Sequence, residues 1–371
     1  LGRLPRAPFT LPEGRSSSPN LVEGRELWEP QGVAVDTSRT PPAVFVADTL
    51  NNRVLAWRDA TGFWNGAFAD AVLGQRDLVS TLPRAPEPAF PGGLNNPLSV
   101  AVDAQGRVFV LDAGNNRILR FRNPFDEEEP GKLELIIGQT QRLGRCANQD
   151  VQPNGACVTA AASSSGPDAS KLRTSAAYLG GTLVSAITFD PEGNLWVADA
   201  GNHRLLRYPR EAAAGASNIT PAGGISPVIQ ADRVIGQLDM TSATANRGRL
   251  SMPGNEFPDR LRTDLTRFPG ALTFDSQGRL YVADDLGRVL SYGLPAANGQ
   301  PATRLLGIVV LTQPGQLPPS TPINDISFGA TVRDNIFAGG PRGLFTISDR
   351  LFVVDTLLHR ILQFDPPERC P

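Results

Sequence analysis

Leu195-Trp-Val-Ala-Asp199-Ala-Gly-Asn202-His203-Arg204-Leu-Leu-Arg-Tyr208 holds two apolar runs separated by a polar, glycine-containing break. Leu, Val, Trp and Tyr favour strands on either side, and Asp-Ala-Gly-Asn supplies turn chemistry between them. A further strand, Ala186-Ile-Thr-Phe-Asp190, precedes this pair and ends in the turn Pro191-Glu-Gly-Asn194. The unit is an antiparallel meander of at least three strands. One such sheet cannot cover both of its apolar faces, so its recurrence decides the fold.

It recurs five times. Repeat one runs Gly32–Asp36, Val44–Trp57 and Ala71–Gln75; repeat two runs Leu98–Asp103, Val108–Phe121 and Leu135–Gln139. Repeat three adds Arg233–Gln237 to the opening stretch. Repeat four runs Ala271–Asp275, Leu280–Tyr292 and Arg304–Ile308, and repeat five runs Gly343–Ile347 and Leu351–Phe364. The strands keep their lengths while the connections between repeats vary, as when insertions collect on one face of a repeat architecture. The fold class expected is all-β: a single β-propeller of four-stranded antiparallel blades spanning 1–371. Its repeat cores are 30–75, 97–139, 184–237, 268–308 and 341–364. Five repeats are visible, and the irregular stretches 140–181 and 311–340 leave room for a sixth blade.

Ring closure follows from the apolar strands, which need cover on both faces. A linear array would need polar end caps, and none is visible. Repeat five ends at Phe364 without a fourth strand. Leu1-Gly2-Arg3 resembles the Leu-Gly-Gln strand at 73–75, so residues 1–3 are expected to close the ring as its outer strand. The chain opens within a repeat-like tract and without Met, as a segment of a longer polypeptide would.

With 37 Gly and 33 Pro among 371 residues, long helices are not expected. A short helix is expected at Lys171–Leu179, in an otherwise irregular insertion, and a flexible Ala/Gly-rich linker at 211–227. Formal net charge is −2 and lysine is almost absent, which argues against nucleic-acid binding. No stretch is long and apolar enough for a membrane span.

The pattern apolar–apolar–Ala/Val-Asp-x-x-Asn-x-Arg-Ile/Val-x-x-aromatic resembles the NHL-repeat family of β-propellers. Asn51, Asn115 and Asn202 carry the Asn; repeats four and five depart from it, with Gly287 before Arg288 and with Leu358. The resemblance implies a propeller, usually of six blades. It leaves function open, because the family includes protein- and RNA-binding modules and a peptide-amidating lyase.

Each repeat carries one Asp before the turn and one Arg after it: Asp48 and Arg53, Asp112 and Arg117, Asp199 and Arg204, Asp284 and Arg288, Asp355 and Arg360. One reading is a ring of carboxylates around a channel, holding a cation. The other is that each Asp caps its turn, Asx fashion, and braces the nearby Arg. Repetition favours the brace, because a catalytic group is needed once per site and a structural one once per blade. Asp36, Asp103, Asp190 and Asp275 end the first strands and read as ordinary turn residues. His203 and His359 hold the place of Asn52 and Asn116 and read as turn residues too. They do not supply the ligands of a His-rich zinc site, and no nucleophile elbow or phosphate loop is present. No catalytic residue, metal ligand or cofactor is therefore assigned.

Cys146 and Cys157 flank a wet, irregular loop within the insertion 140–181. A disulfide closing that short ring is the leading assignment, with two free thiols as the alternative and a metal pair behind both. Cys370 is left unassigned. Trp57 and Trp196 are expected in the core. Phe63-Trp64 is either an exposed anchor for a partner or a cap on its own blade. Asn218-Ile-Thr220 matches an N-glycosylation acceptor.

Two functions follow. The first is a non-enzymatic, extracytoplasmic scaffold or binding module (secreted, periplasmic or cell-surface) that recognises a protein or glycan through long loops on one propeller face. The second is a metal-dependent propeller hydrolase or lyase with its site at the central channel.

Overall fold

The computed structural model describes residues 22–83, 90–152, 154–158, 166–175, 184–245, 262–307, 341–356 and 359–365. Among the described residues there are five antiparallel sheets. Blade one is β1 (Gly32–Asp36), β2 (Ala43–Asp48), β3 (Arg53–Trp57) and β4 (Ala71–Leu73). Blade two is β5 (Pro97–Val102), β6 (Val108–Asp112), β7 (Arg117–Phe121) and β8 (Leu133–Ile137). Blade three is β9 (Ile187–Phe189), β10 (Leu195–Asp199), β11 (Arg204–Tyr208) and β12 (Arg233–Ile235). Blade four is β13 (Ala271–Phe274), β14 (Leu280–Asp284), β15 (Arg288–Tyr292) and β16 (Arg304–Leu306). Blade five has three strands, β17 (Gly343–Ile347), β18 (Arg350–Asp355) and β19 (Arg360–Phe364). Each sheet is a meander in chain order, and the fold class is a β-propeller of five blades. Residues 1–3, given the closing strand, lie outside the described residues, as do 311–340 and Cys370.

The chain divides into two compact units. One holds blades one and two with residues 216–229; the other holds blades three to five. In the first unit Phe45, Val54, Ala56 and Leu73 of blade one pack on Val108, Val110, Leu119 and Phe121 of blade two. In the second unit Trp196, Leu205 and Ile235 meet Leu272, Phe274 and Tyr292, with Trp196 and Phe274 ring centroids 5.7 Å apart. Tyr281, Ala283 and Val289 then meet Leu351, Val353 and Phe364. Middle strands such as β3, β6, β10 and β14 are buried at every position, the pattern of sheets covered on both faces. Strands β1 and β19 instead alternate half-buried and exposed residues.

Several local expectations change. The fourth strands end before their Gly rather than after the following Gln: Gly74, Gly138, Gly236 and Gly307 all have φ between 85° and 93°, a region that breaks the ladder and suits Gly. In β4 the lack of a side chain is also required by packing, since a Cβ on Gly74 would lie 2.2 Å from Leu94. Residues 171–175 are not helical, because their backbone is used elsewhere: Arg173 N–H goes to Asp199 and Lys171 C=O to Arg204. The linker at 211–227 is not featureless. It opens with a one-turn helix α1 (Arg210–Ala213) and contains a bridge between Ile219 and Ile225.

Candidate functional site

The turn after each middle strand is built alike in blades one to three. A single 3-10 turn (Thr49–Asn51, Ala113–Asn115, Ala200–Asn202) is followed by a left-handed residue, Asn52, Asn116 or His203, with φ of 54°, 53° and 54°. Asn and His tolerate this region better than most side chains. His359 adopts it as well, with φ 50°. The two histidines are thus turn residues in geometry as well as in repeat position.

The carboxylates that precede these turns do not cap them. Asp48, Asp112 and Asp199 make no side-chain bond to the turn backbone. Instead Oδ2 of each accepts from the turn asparagine (Asn51, Asn115, Asn202) at 2.7–2.9 Å and from the repeat arginine Nε at 2.7–2.8 Å. Oδ1 accepts a backbone N–H from the segment entering the blade: Trp28 at 2.6 Å, Asn95 at 2.8 Å and Arg173 at 2.8 Å. Among the described residues the Asx geometry expected here is seen at Asp284, where Leu286 N–H donates to Oδ1 at 3.1 Å. Repeat four lacks the turn asparagine, so its carboxylate reaches the shortened turn directly. Asx turns belong to the other acidic set: Asp103 accepts from Gln105 and Arg107 N–H, and Asp275 from Gln277 and Arg279 N–H.

The arginines complete these networks. Arg53, Arg117, Arg204 and Arg288 are fully buried. Arg53 donates through its terminal nitrogens to the carbonyls of Leu78 and Glu26, Arg117 to Arg142 and Gly93, Arg204 to Met240 and Lys171, and Arg288 to Arg262 and Leu265. One guanidinium therefore ties its own Asp to the loops flanking the blade, a task suited to a planar fork of donors. Burial pushes the Asp48 and Asp112 carboxyls above the usual carboxylate range, opposed by the facing Arg53 and Arg117. In blade five Arg360 still reaches Asp355 at 2.9 Å but is 36% exposed.

Sequence reasoning missed the glutamines. Gln75, Gln139 and Gln237 each donate Nε2 to the carbonyl of the left-handed residue, Asn52, Asn116 and His203, at 2.8–3.1 Å. The second Nε2 bond goes to Leu82, Cys146 and Thr244 carbonyls. The signal was present in the recurrent Gly-Gln pair. Asn218, matched to a glycosylation acceptor, is 1% exposed with its carboxamide bonded to Ile136, so in the folded chain it is a structural residue and not an acceptor.

Cys146 and Cys157 form a disulfide, with Cα atoms 5.6 Å apart. Trp57 and Trp196 are buried, and their indole N–H groups donate to Ala67 C=O at 3.1 Å and to Asp190 at 2.9 Å. On the β3–β4 connection the two neighbouring aromatics part ways. Phe63 packs edge-on against Trp57 with centroids 5.0 Å apart, while Trp64 is 67% exposed. Phe68 on the same connection is 53% exposed, with the Arg25 guanidinium 4.4 Å from its ring centroid. Among the described residues no group of three or more His, Cys, Asp or Glu is placed to hold a metal ion, and no helix is long and apolar enough to cross a membrane.

The NHL repeat pattern matches residues 94–121 and 184–208, which span the middle hairpins of blades two and three. No curated protein matches the chain. Among solved structures, virginiamycin B lyase from Staphylococcus aureus is similar at 13% identity over 91% of this chain and 70% of its own, with a TM-score of 0.36. The nidogen/laminin complex is similar at 12% identity over 91% and 75%, with a TM-score of 0.42. The PQQ-bound aldose sugar dehydrogenase from Streptomyces coelicolor is similar at 13% identity over 93% and 79%, with a TM-score of 0.41. Likenesses this loose carry neither substrate nor partner across. The chain carries the NHL repeat at 94–121 and 184–208, within a β-propeller fold of five blades among the described residues.

Proposed function

We propose that the chain is a non-enzymatic binding module of an extracytoplasmic protein, recognising a protein or a glycan through its blade connections. The observation that carries this reading is the pair of exposed aromatics on one connection, Trp64 and Phe68, in a segment anchored by half-buried Phe63 against buried Trp57. Exposed aromatic rings offer contact area at low entropic cost, to a protein hot spot or to the C–H face of a sugar. The disulfide supports an oxidising compartment. The repeat aspartates support binding over chemistry at a channel, because their oxygens are committed to guanidinium, asparagine and backbone donors of their own blade. The test is a screen of the purified chain against a glycan array and against cross-linked extracellular material. Trp64→Ala with Phe68→Ala is expected to lower the signal at least about tenfold, the scale of a hot-spot aromatic, with the melting temperature unchanged. Full binding by that variant refutes the assignment of the site.

A further inference from the structure

The outer strands β4, β8 and β12 end their hydrogen-bonding ladders in two different ways. Ile136 in β8 turns its backbone outward and meets a carboxamide: its N–H donates to Asn218 Oδ1 at 3.0 Å, and Asn218 Nδ2 donates to its C=O at 2.9 Å. Val234 in β12 is met the same way, with its N–H donating to Asn298 Oδ1 at 3.0 Å and Gly299 N–H donating to its C=O at 2.9 Å. In both cases the amide comes from the connection before the outer strand of the following repeat. It takes the place of one peptide unit of a fifth strand.

Val72 holds the same register position in β4. It stands opposite Leu55, as Ile136 stands opposite Leu119 and Val234 opposite Leu206. The corresponding connection, between β7 and β8, contributes no such amide: Asn123 turns instead to Asp36 and the Gly106 carbonyl. Among the described residues none bonds the outward N–H or C=O of Val72. Ile136 and Val234 are fully buried, whereas Val72 is half-buried. A cleft of about 500 Å³ adjoins this edge, lined by Leu73, Phe90, Pro91, Phe121, Pro124 and Leu133. Its rim is acidic. Asp126–Glu129 joins Pro124 to Pro130, and Glu127 and Glu128 are exposed and form no ion pair among the described residues.

We propose that this edge and cleft bind an extended peptide segment of a partner protein. One peptide unit of the partner pairs with Val72 as the Asn218 carboxamide pairs with Ile136, and as Asn298 Oδ1 with Gly299 N–H pairs with Val234. An apolar side chain enters the cleft, and a flanking Lys or Arg faces Glu127 and Glu128. Main-chain pairing then gives affinity, and the cleft and rim give selectivity. The surface is separate from Trp64 and Phe68, so either site can fail without the other.

The probe is the capped peptide acetyl-Lys-Ala-Leu-Ala-Lys-amide, titrated into the isotope-labelled chain with backbone amide resonances observed. The expected result is saturable shifts at Val72 and along the cleft. N-methylating each of the three central residues in turn should weaken binding about tenfold at one of them, the loss expected for a removed backbone hydrogen bond. Glu127→Lys with Glu128→Lys should weaken it too, while Trp64→Ala with Phe68→Ala leaves it unchanged. The proposal is overturned if the peptide shifts residues elsewhere or none, or if all N-methylated peptides bind equally. It is overturned as well if the Val72 amide in the free chain resists hydrogen exchange as strongly as those of Ile136 and Val234.

Discussion

His203 makes the stability of this chain depend on pH in a way one substitution should remove. Its imidazole is buried, Nδ1 accepts the Phe268 N–H at 3.2 Å, and the Phe268 ring packs edge-on at 4.4 Å. Burial, first, and then the positive charges of Arg173 and Arg267 push its pKa down from 6.5 to about 4. A depressed pKa means that the neutral ring contributes its full stability above the unfolded value. That contribution is lost as pH falls from there through the folded value. Linkage between about 6.5 and about 4 gives a loss of about 2 kcal/mol at pH 5. Asparagine is the natural control. Asn52 occupies the equivalent left-handed position, and its Oδ1 accepts the Asn96 N–H at 2.9 Å, as His203 Nδ1 accepts that of Phe268. His203→Asn should therefore be close to neutral at pH 7 and more stable than the parent by about 2 kcal/mol at pH 5. Urea unfolding of both chains at the two pH values measures the gap, and the carboxylates common to both cancel in the difference. A gap that changes by less than about 0.5 kcal/mol between pH 7 and pH 5 refutes the reasoning.

Two further outcomes follow from the braces and the strand plugs. Arg117→Met leaves Asp112 buried without its counter-charge and should cost about 3–5 kcal/mol in urea unfolding. Arg360→Met also leaves a buried carboxylate, Asp355, but the guanidinium it removes is 36% exposed, so it should cost less than Arg117→Met, and equal costs would show that the burial of the arginine does not set the value. Asn218→Ala strips both partners from the buried Ile136 peptide groups. It should cost about 2–3 kcal/mol and speed amide exchange at Ile136, and unchanged exchange there would show that the carboxamide is not the plug.

What the sequence disclosed is what its local chemistry dictates. The strands, their order and the Asp and Arg of each repeat are legible because a two-residue side-chain period and a turn signal fit within a short window, and five copies average out the noise. The partners of those residues are not legible. Asp199 takes its third bond from Arg173 and Arg204 reaches Met240, so each network is assembled by segments that share no pattern. Asn218 misled for the same reason. A short acceptor motif is a local signal, whereas its bond to Ile136, 82 residues earlier in the chain, has no local signature. The helix expected at Lys171–Leu179 failed where backbone groups at 171 and 173 are claimed by Arg204 and Asp199.

The same contrast directs where function is to be sought. Recurrent side chains are consumed in holding the blades: carboxylate by guanidinium in all five, left-handed carbonyl by glutamine in blades one to three, outer edge by asparagine in blades two and three. A repeat fold that satisfies its polar groups this uniformly has little left over for binding, unless a copy drops one of these devices. Blade one drops the edge amide and so leaves Val72 beside an apolar cleft; it also places Trp64 and Phe68 in solvent on its β3–β4 connection. Both departures lie in the same blade, and each costs stability that a purely structural repeat would not forgo. An outward N–H and C=O at a half-buried strand, next to a cleft that a partner's apolar side chain can enter, is unfavourable alone and favourable when occupied. That difference is the free energy a partner gains by binding there.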